Sequence, residues 1–339
     1  MKTNLTAGVI GLGVGECHII GYDNHASCSV TKICDFNKEV LENVAKRHEG
    51  KLFTTDPMEI ISDPEIDIVS IASYDEYHCD QVIASLRSGK HVFVEKPLCV
   101  SRTELNSIVE VLRENSKLKL SSNLILRNTP RFKELRNRVK SNELGQVFHI
   151  ESSYDYGRLH KITNGWRGEM PKYSVTLGGG IHLIDLLSWI SGERFHEVFA
   201  YGNDLSTRGS SFSGNSLTTA IMKAESGFTA TLTSNFGSVT PHHHKLTIYG
   251  TKGTFEQSHS TALYYSSRDS FVAPEKVDSL YPGTKKGDLI YDFIDLILGK
   301  RMPIINAQEV VDSMSVGLAI DDSIETQRPQ KVQYKNLDE

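Results

Sequence analysis

Apolar and polar positions follow two different rhythms along this chain, and the rhythm changes near residue 122. Before that point, short apolar runs are separated by stretches about long enough for one helix: Ala7-Gly8-Val9-Ile10, Ser29 to Cys34, Ile66 to Ala72, His91 to Val94 and Leu118 to Ser121. Runs rich in Val and Ile with no polar alternation suit parallel strands covered on both faces. Between them, Val82, Ile83 and Leu86 share one helical face. Leu105, Ile108, Val109 and Leu112 share another, behind the cap pair Ser101 and Glu104. This alternation predicts a doubly wound α/β domain over residues 1–122.

After residue 122 the runs turn to period two: Phe148 to Tyr156, Phe195 to Asn203, Leu217 to Ala224, Phe228 to Asn235 and Lys245 to Tyr249. Glu225-Ser226-Gly227 reads as a hairpin connection and Gly250 to Gly253 as another. An apolar helix over Ile181 to Ile190 stops at Ser191-Gly192. Two more, Asp288 to Leu298 and Gln308 to Thr326, flank Pro303. Residues 123–339 therefore read as a second, strand-rich domain with helices, and the Ser/Gly-rich segment 206–216 as a mobile loop.

Composition agrees with two cores: 339 residues, 39% hydrophobic and 23% charged. A net charge of -5 and a pI near 6.2 argue against a nucleic-acid or membrane surface. The N-terminus lacks an extended apolar segment, and no run approaches the ~18 apolar residues of a membrane span. Cys17, Cys28, Cys34, Cys79 and Cys99 are odd in number and form no CxxC pair, which fits reduced thiols in a cytoplasmic protein.

The first strand runs into Gly11-Leu12-Gly13-Val14-Gly15-Glu16, and the second ends at Asp35. Glycines at a strand-to-helix turn let backbone amides approach a pyrophosphate, which the helix N-terminus favours. An acid about 20 residues later suits the adenosine ribose hydroxyls. The spacing departs from GxGxxG: Glu16 stands at the third glycine's place, where its side chain threatens the helix start, and Gly15 takes the job in a tighter turn. Asp35 repels a 2′-phosphate and Phe36-Asn37 offer no cation, so NAD is expected rather than NADP.

Strand His91-Val92-Phe93-Val94 ends in Glu95-Lys96-Pro97, which puts Lys96 at the mouth of a site if the sheet is open and parallel. Pro97 can take a cis peptide and aim the lysine. His182 follows three glycines and opens the apolar helix; its ordinary pKa near 6.5 suits proton acceptance. Asp185, one turn on, either orients the imidazole or caps local amides. Arg127, Trp166 and Arg167 are candidate substrate contacts, an indole for a sugar face and guanidinium forks for anions. Ion pairing, core packing and an internally satisfied histidine explain isolated residues of these types equally well. His242-His243-His244 leaves only two imidazoles on one face of a strand, with no acid or cysteine at ligand spacing, so no metal is expected.

These features together resemble the glucose-fructose oxidoreductase / inositol dehydrogenase / rhizopine catabolism (Gfo/Idh/MocA) family. The glycine turn, Ser73 to His78, Gly89-Lys90-His91-Val92 leading into Glu95-Lys96-Pro97, and Arg127 with Pro130 carry the match. Trp166-Arg167, Gly178-Gly179-Gly180-Ile181-His182-Leu183-Ile184-Asp185 and Gly250-Thr251-Lys252-Gly253-Thr254 follow in order. The resemblance implies a Rossmann domain followed by an α/β domain on a large, open, mostly antiparallel sheet. It implies NAD held by Gly11, Leu12, Gly13, Val14, Gly15, Asp35, Ser73, Tyr74, His78, Glu95 and Lys96. It also implies Lys96 and His182 as the catalytic pair, in contact with substrate alongside Arg127, Trp166 and Arg167.

The expected reaction is hydride transfer between nicotinamide and a secondary alcohol of a sugar, nucleotide sugar or cyclitol. Two other activities occur among such proteins and stay open here: glycoside cleavage through transient oxidation, and NAD-bound sugar sensing without turnover. The pattern departs at Gly178, where many relatives carry an aspartate acting with the histidine. An aspartate placed there is expected to clash in the glycine turn. Apolar residues on both faces of the second sheet, Val147, Phe148 and Ile150, lead to an expected homodimer or homotetramer.

Overall fold

The computed structural model describes residues 4–338, and the chain divides into two compact units. The first comprises residues 1–128, 284–314 and 335–339, the second 129–283 and 315–334. Among the described residues, no helix is long and apolar enough to cross a membrane.

The first unit is built on six parallel strands: β1 Leu5–Ile10, β2 Cys28–Cys34, β3 Leu52–Thr54, β4 Ile68–Ile71, β5 His91–Val94 and β6 Leu120–Ser122. Their order is β3-β2-β1-β4-β5-β6, the doubly wound arrangement expected from the alternation of runs. Val9, Ile68, Val69, Ile71, Val92, Phe93 and Val94 are fully buried, each worth about 1.5–3 kcal/mol relative to exposure. The order in which successive strands are added reverses between β1 and β4, which pair in parallel, so ligands find their crevice past the carboxyl ends of these two strands. Gly11, Asp35, Ser73, Glu95 and Asn123 all stand at such ends.

Two motif residues serve this sheet rather than a ligand. Lys90 is 5% exposed, and its ammonium donates to the carbonyls of Asp63 (2.5 Å) and Ile66 (2.7 Å). Buried carbonyls need such donors. Ser101 caps the helix Arg102–Glu114 as its sequence foretells: its Oγ accepts from the Glu104 amide at 3.2 Å, and Glu104 accepts from the Val100 amide at 2.8 Å.

The division differs from a single boundary at residue 122, because the helix Asp288–Ile297 returns to the first unit. Its apolar face explains this. Phe293 packs against Phe93 with ring centres 5.6 Å apart, and a Cβ on Gly21 of the helix Leu12–Asp23 would come within 3.1 Å of Ile290. Sequence periodicity marks such a face but not its partner.

The second unit carries nine strands: β7 Val147–Asp155, β8 Phe195–Asn203, β9 Leu217–Ala224, β10 Thr229–Asn235, β11 His243–Gly250, β12 Thr254–Gln257, β13 Ala262–Tyr265, β14 Glu275–Lys276 and β15 Gln330–Lys331. Their order is β14-β13-β12-β11-β7-β10-β9-β8-β15, antiparallel except for the parallel pair β7 and β10. The period-two runs sort as expected: along β9, Thr218, Ala220, Met222 and Ala224 are buried while Thr219, Ile221 and Lys223 are exposed. On the buried side lies the helix Ile181–Ser191, which Gly192 ends in the left-handed conformation (φ 75°).

The segment 206–216 is tied down more than its composition suggests. Phe212 is 6% exposed, Ser206 Oγ donates to Ser216 Oγ at 2.7 Å, and Ser213 Oγ donates to the Pro171 carbonyl at 3.3 Å. Serines read as loop formers, but here their hydroxyls supply the anchors.

Candidate functional site

At the end of β1, Gly11 has φ +84°, and a Cβ there would meet the Ala72 carbonyl carbon at 2.5 Å and the Ser73 nitrogen at 2.6 Å. Only glycine fits. The helix then starts at Leu12, whose amide donates to Asp35 Oδ2 at 2.8 Å. The Asn37 amide donates to Asp35 Oδ1 at 2.9 Å, so the β2 carboxylate is fixed across the glycine turn. At Gly13 nothing lies within 4 Å of where a Cβ would stand, which leaves the turn open to a ligand. Gly15 does the third glycine's work, since a Cβ there would come within 2.9 Å of Val9 Cγ1 and 3.4 Å of Ala72 Cβ. Glu16 does not disturb the helix start. It reaches outward to Arg47, which donates from Nε at 2.7 Å and Nη2 at 2.9 Å, and to His48 at 3.2 Å.

This cradle fits a dinucleotide: a glycine turn, a helix N-terminus with no acid in its first turn, and a fixed carboxylate beyond β2. Phe36 and Tyr74 add an aromatic pair at the ends of β2 and β4, edge to face at 5.5 Å. Ser73 Oγ donates to Gln81 at 2.7 Å. Val14 is half-buried in the first helical turn.

Behind the Lys96 turn sits a buried polar chain that no local pattern of residues announces. His18 lies between Ser70 Oγ (3.0 Å from Nδ1) and Glu95 Oε1 (3.3 Å from Nε2). Asn123 Nδ2 donates to the same carboxylate at 2.7 Å and to the Lys286 carbonyl at 2.9 Å. Burial pushes the Glu95 carboxyl up, but His18, Asn123 and the Lys96 charge outweigh it and hold it well below the usual carboxylate range. His78, fully buried, stands between the Pro97 carbonyl (2.6 Å from Nδ1) and the Ser73 carbonyl (3.2 Å from Nε2). Glu95 and His78 were expected to hold the cofactor. Both also hydrogen-bond to the protein, where they brace the turn bearing the half-buried Lys96 and its cis Lys96-Pro97 bond. Arg127 is likewise engaged at home: it is 2% exposed and donates from Nη1 to the Ile304 carbonyl (2.9 Å) and Glu309 (2.6 Å).

In the second unit, His182 follows a wide turn over Thr176–Gly180 whose three glycines are fully buried. They serve close packing by side chains. A Cβ on Gly178 would overlap Tyr173 Oη, one on Gly179 would meet Tyr154 at 2.5 Å and Phe236 at 2.7 Å, and one on Gly180 would overlap Ser234 Oγ. An aspartate at position 178 would therefore require the Tyr173 ring to shift. The half-buried His182 ring stacks on Tyr154 at 6.2 Å, and Asp185 one turn later is fully buried.

Trp166 and Arg167 start the short helix Trp166–Glu169, with the guanidinium 4.3 Å over the indole and Arg167 Nε donating to Tyr173 Oη at 3.1 Å. Around them the aromatic chain continues: Tyr154 stacks on Phe236 at 5.9 Å and meets His242 and His244 edge-on at 5.1 and 5.2 Å. His243 points the other way, against His259 at 4.3 Å, as strand alternation requires. His244 stands 2.6 Å from Tyr281 Oη, and burial together with neighbouring His242 and His182 charges holds it well below its ordinary pKa. Burial also pushes the Tyr281 phenol up to about 12. Tyr154, Tyr173 and Tyr281 escaped sequence reasoning, since nothing in their local pattern separates them from core tyrosines.

Fold and cradle define an NAD-binding oxidoreductase. Residues 5–123 match the oxidoreductase family with an NAD-binding Rossmann fold, and residues 132–256 match the GFO/IDH/MocA C-terminal domain. The chain belongs to this family, and it is an NAD-dependent enzyme of it. Among similar proteins, an uncharacterized oxidoreductase, YrbE, of Bacillus subtilis is 26% identical over 81% of this chain and 80% of its own. The scyllo-inositol 2-dehydrogenase (NAD(+)) of the same organism is 22% identical over 99% and 98%. Inositol 2-dehydrogenase of Salmonella typhimurium is 27% identical, with 58% of this chain spanning 57% of that one. The structure of scyllo-inositol dehydrogenase from Lactobacillus casei, with NAD(H) and scyllo-inositol, superposes with TM-score 0.79 at 19% identity over 97% of this chain and 99% of that one. At that identity the likeness speaks for the fold.

Proposed function

We propose that this enzyme reversibly oxidises a secondary alcohol of a sugar, nucleotide sugar or cyclitol with NAD. The observation that carries the reading is His182 itself. A half-buried imidazole at a side-chain-packed glycine turn, stacked on Tyr154 and in the same unit as the Trp166 indole, suits taking a proton from a hydroxyl on a sugar-like ring. Relatives named for inositol support a polyol substrate.

NAD, when bound, supplies the hydride acceptor. The glycine turn and the Leu12 helix would receive its pyrophosphate, and the Asp35 carboxylate its ribose hydroxyls. Lys96, on its braced turn, is proposed to hydrogen-bond the reacting oxygen, and His182 to accept its proton. Arg167 with Trp166 is proposed to meet the ring of the substrate. Positioned acid-base groups of this kind typically contribute ~10²–10⁴-fold.

Self-association through the open face of the second sheet belongs to the same proposal. Phe148, Tyr201 and Ile221 are 50%, 57% and 50% exposed there, a face suited to a homodimer or homotetramer. The test of function is a panel of sugars, nucleotide sugars and cyclitols mixed with protein and NAD. Net NADH formation with at least one is expected. Release of an aryl alcohol from aryl glycosides without net NADH, or ligand binding with no turnover, would replace the reading.

A further inference from the structure

The helix Ala307–Thr326 meets the wide turn through Gly317, where a Cβ would come within 2.7 Å of Leu177 Cδ2, 3.5 Å of Ile181 Cδ1 and 3.7 Å of Ile184 Cδ1. Four residues on, on the same helical face, the half-buried Asp321 reaches the segment where the turn begins. Ser174 Oγ donates to Asp321 Oδ1 at 2.9 Å and accepts from the Leu177 amide at 3.1 Å, while the Ser174 carbonyl accepts from the Gly178 amide at 2.8 Å. That is the geometry of an N-cap. A hydroxyl has one proton to give, and with it held by Asp321 the Ser174 lone pairs are left for the amide. The Thr176 hydroxyl bonds the same carboxyl and stands 2.9 Å from Thr218 Oγ1.

Capping alone requires no charge behind the serine, and this charge is held against the fold. Burial pushes the Asp321 carboxyl up to about 7; Asp322 and Glu325 of its own helix act in the same direction, and the Ser174 and Thr176 bonds oppose it. Lys172, at the approach to the turn, is exposed and pairs with Glu325 at 3.8 Å. Since the unfolded carboxyl titrates near about 3.9, the folded state binds the proton more tightly, and stability falls as pH rises from there to about 7. A group kept at a cost to stability beside a site suits a functional role.

We propose that Asp321 is a positioning residue for the His182 site: its carboxylate receives the Ser174 and Thr176 protons, locks the cap of the wide turn, and so fixes the imidazole that the turn delivers. This rests on the alcohol-oxidation reading above. Protonated, the carboxyl turns one oxygen into a donor and leaves one acceptor oxygen for two hydroxyls, so the cap loosens as pH falls through about 7.

The test is the ratio of wild-type to Asp321→Asn kcat on a polyol that wild type turns over, from about pH 5.5 to about pH 8.5. Titration of the His182 imidazole is common to both proteins and cancels in the ratio. Misplacing a reacting group by about 1 Å costs about 10²-fold, and a loosened cap is expected to cost about 10-fold at the alkaline end. The ratio should approach one at the acid end, where wild type also carries a neutral carboxyl. At the alkaline end the variant should melt no lower than wild type, because the charge that burial disfavours is gone; a purely structural aspartate predicts the reverse. Ser174→Ala keeps the carboxylate but gives it no serine proton, and should lower alkaline kcat in the same way. A ratio near one at every pH, or one that does not change with pH, overturns the inference while the proposed function stands. Should Asp321→Asn not fold, wild-type kcat and pH profile in Ser174→Ala overturn it instead. If wild type reduces NAD with no alcohol of the panel, the functional reading falls and takes this inference with it.

Discussion

His18 Nε2 and Glu95 Oε1 lie 3.3 Å apart behind the turn that carries Lys96, with Asn123 donating to the same carboxylate oxygen. The glutamate before the lysine thus works inward, tying β5 to the first helix and to the segment after β6. Glu95→Ala should cost about 1–3 kcal/mol through the polar groups it orphans, read as a lowered melting temperature. It should also reduce kcat, because Lys96 loses its support. The Glu95 carboxyl is held below its ordinary range, so its contribution is present above a pH of about 4 and fades as pH falls further. The melting-temperature gap between wild type and Glu95→Ala should therefore narrow below that pH.

Asp35 is oriented by the Leu12 and Asn37 amides. Asp35→Ala removes an acceptor for ribose hydroxyls and a repulsion against a 2′-phosphate. Fluorescence titration should show NADH binding weakened and NADPH binding unchanged or improved. Wild-type affinity for NADPH equal to that for NADH would contradict this account of cofactor choice.

The buried imidazoles of the second unit make it sensitive to acid. His243 is pulled down to about 4, first by burial and then by His259, whereas the unfolded chain titrates near 6.5. Between these values the unfolded state binds more protons, so stability falls as pH is lowered from about 6.5 toward 4. His244 acts in the same direction. In His243→Phe the melting temperature should depend less steeply on pH across that window; an unchanged slope would mean the imidazole is not the cause.

Much of the first unit was readable because parallel strands are short, apolar and regularly spaced, and because Gly11, Asp35 and Lys96 fall at strand ends whichever helix length is assumed. The second sheet was readable through period two, though its short strands β12 to β15 carry too few residues for a rhythm. The polar chain from Ser70 through His18 and Glu95 to Asn123 was not readable, since it joins residues up to 105 positions apart that meet only once the sheet forms. The same holds for the glycines before His182. Sequence marks a close approach there but cannot say that Tyr173, Tyr154, Phe236 and Ser234 are what approach.

Lys96 and His182 are both proposed to serve one proton transfer. Lys96→Ala and His182→Ala should each lower kcat by roughly 10²–10⁴-fold, while NADH affinity is retained because neither lies in the glycine turn. Residues acting as one unit fail together. The double variant should then be little worse than the poorer single one, and a loss equal to the product of both defects would show that they act independently.

The most direct measurement follows the hydride. The polyol that reduces NAD fastest is prepared with deuterium on its carbinol carbons, and the reduced cofactor is weighed by mass spectrometry after turnover. One deuterium per molecule of reduced cofactor is expected, with a slowed rate if hydride transfer limits turnover. Reduced cofactor without the label, or consumption of the polyol with no reduced cofactor formed, would contradict oxidation of a secondary alcohol by NAD.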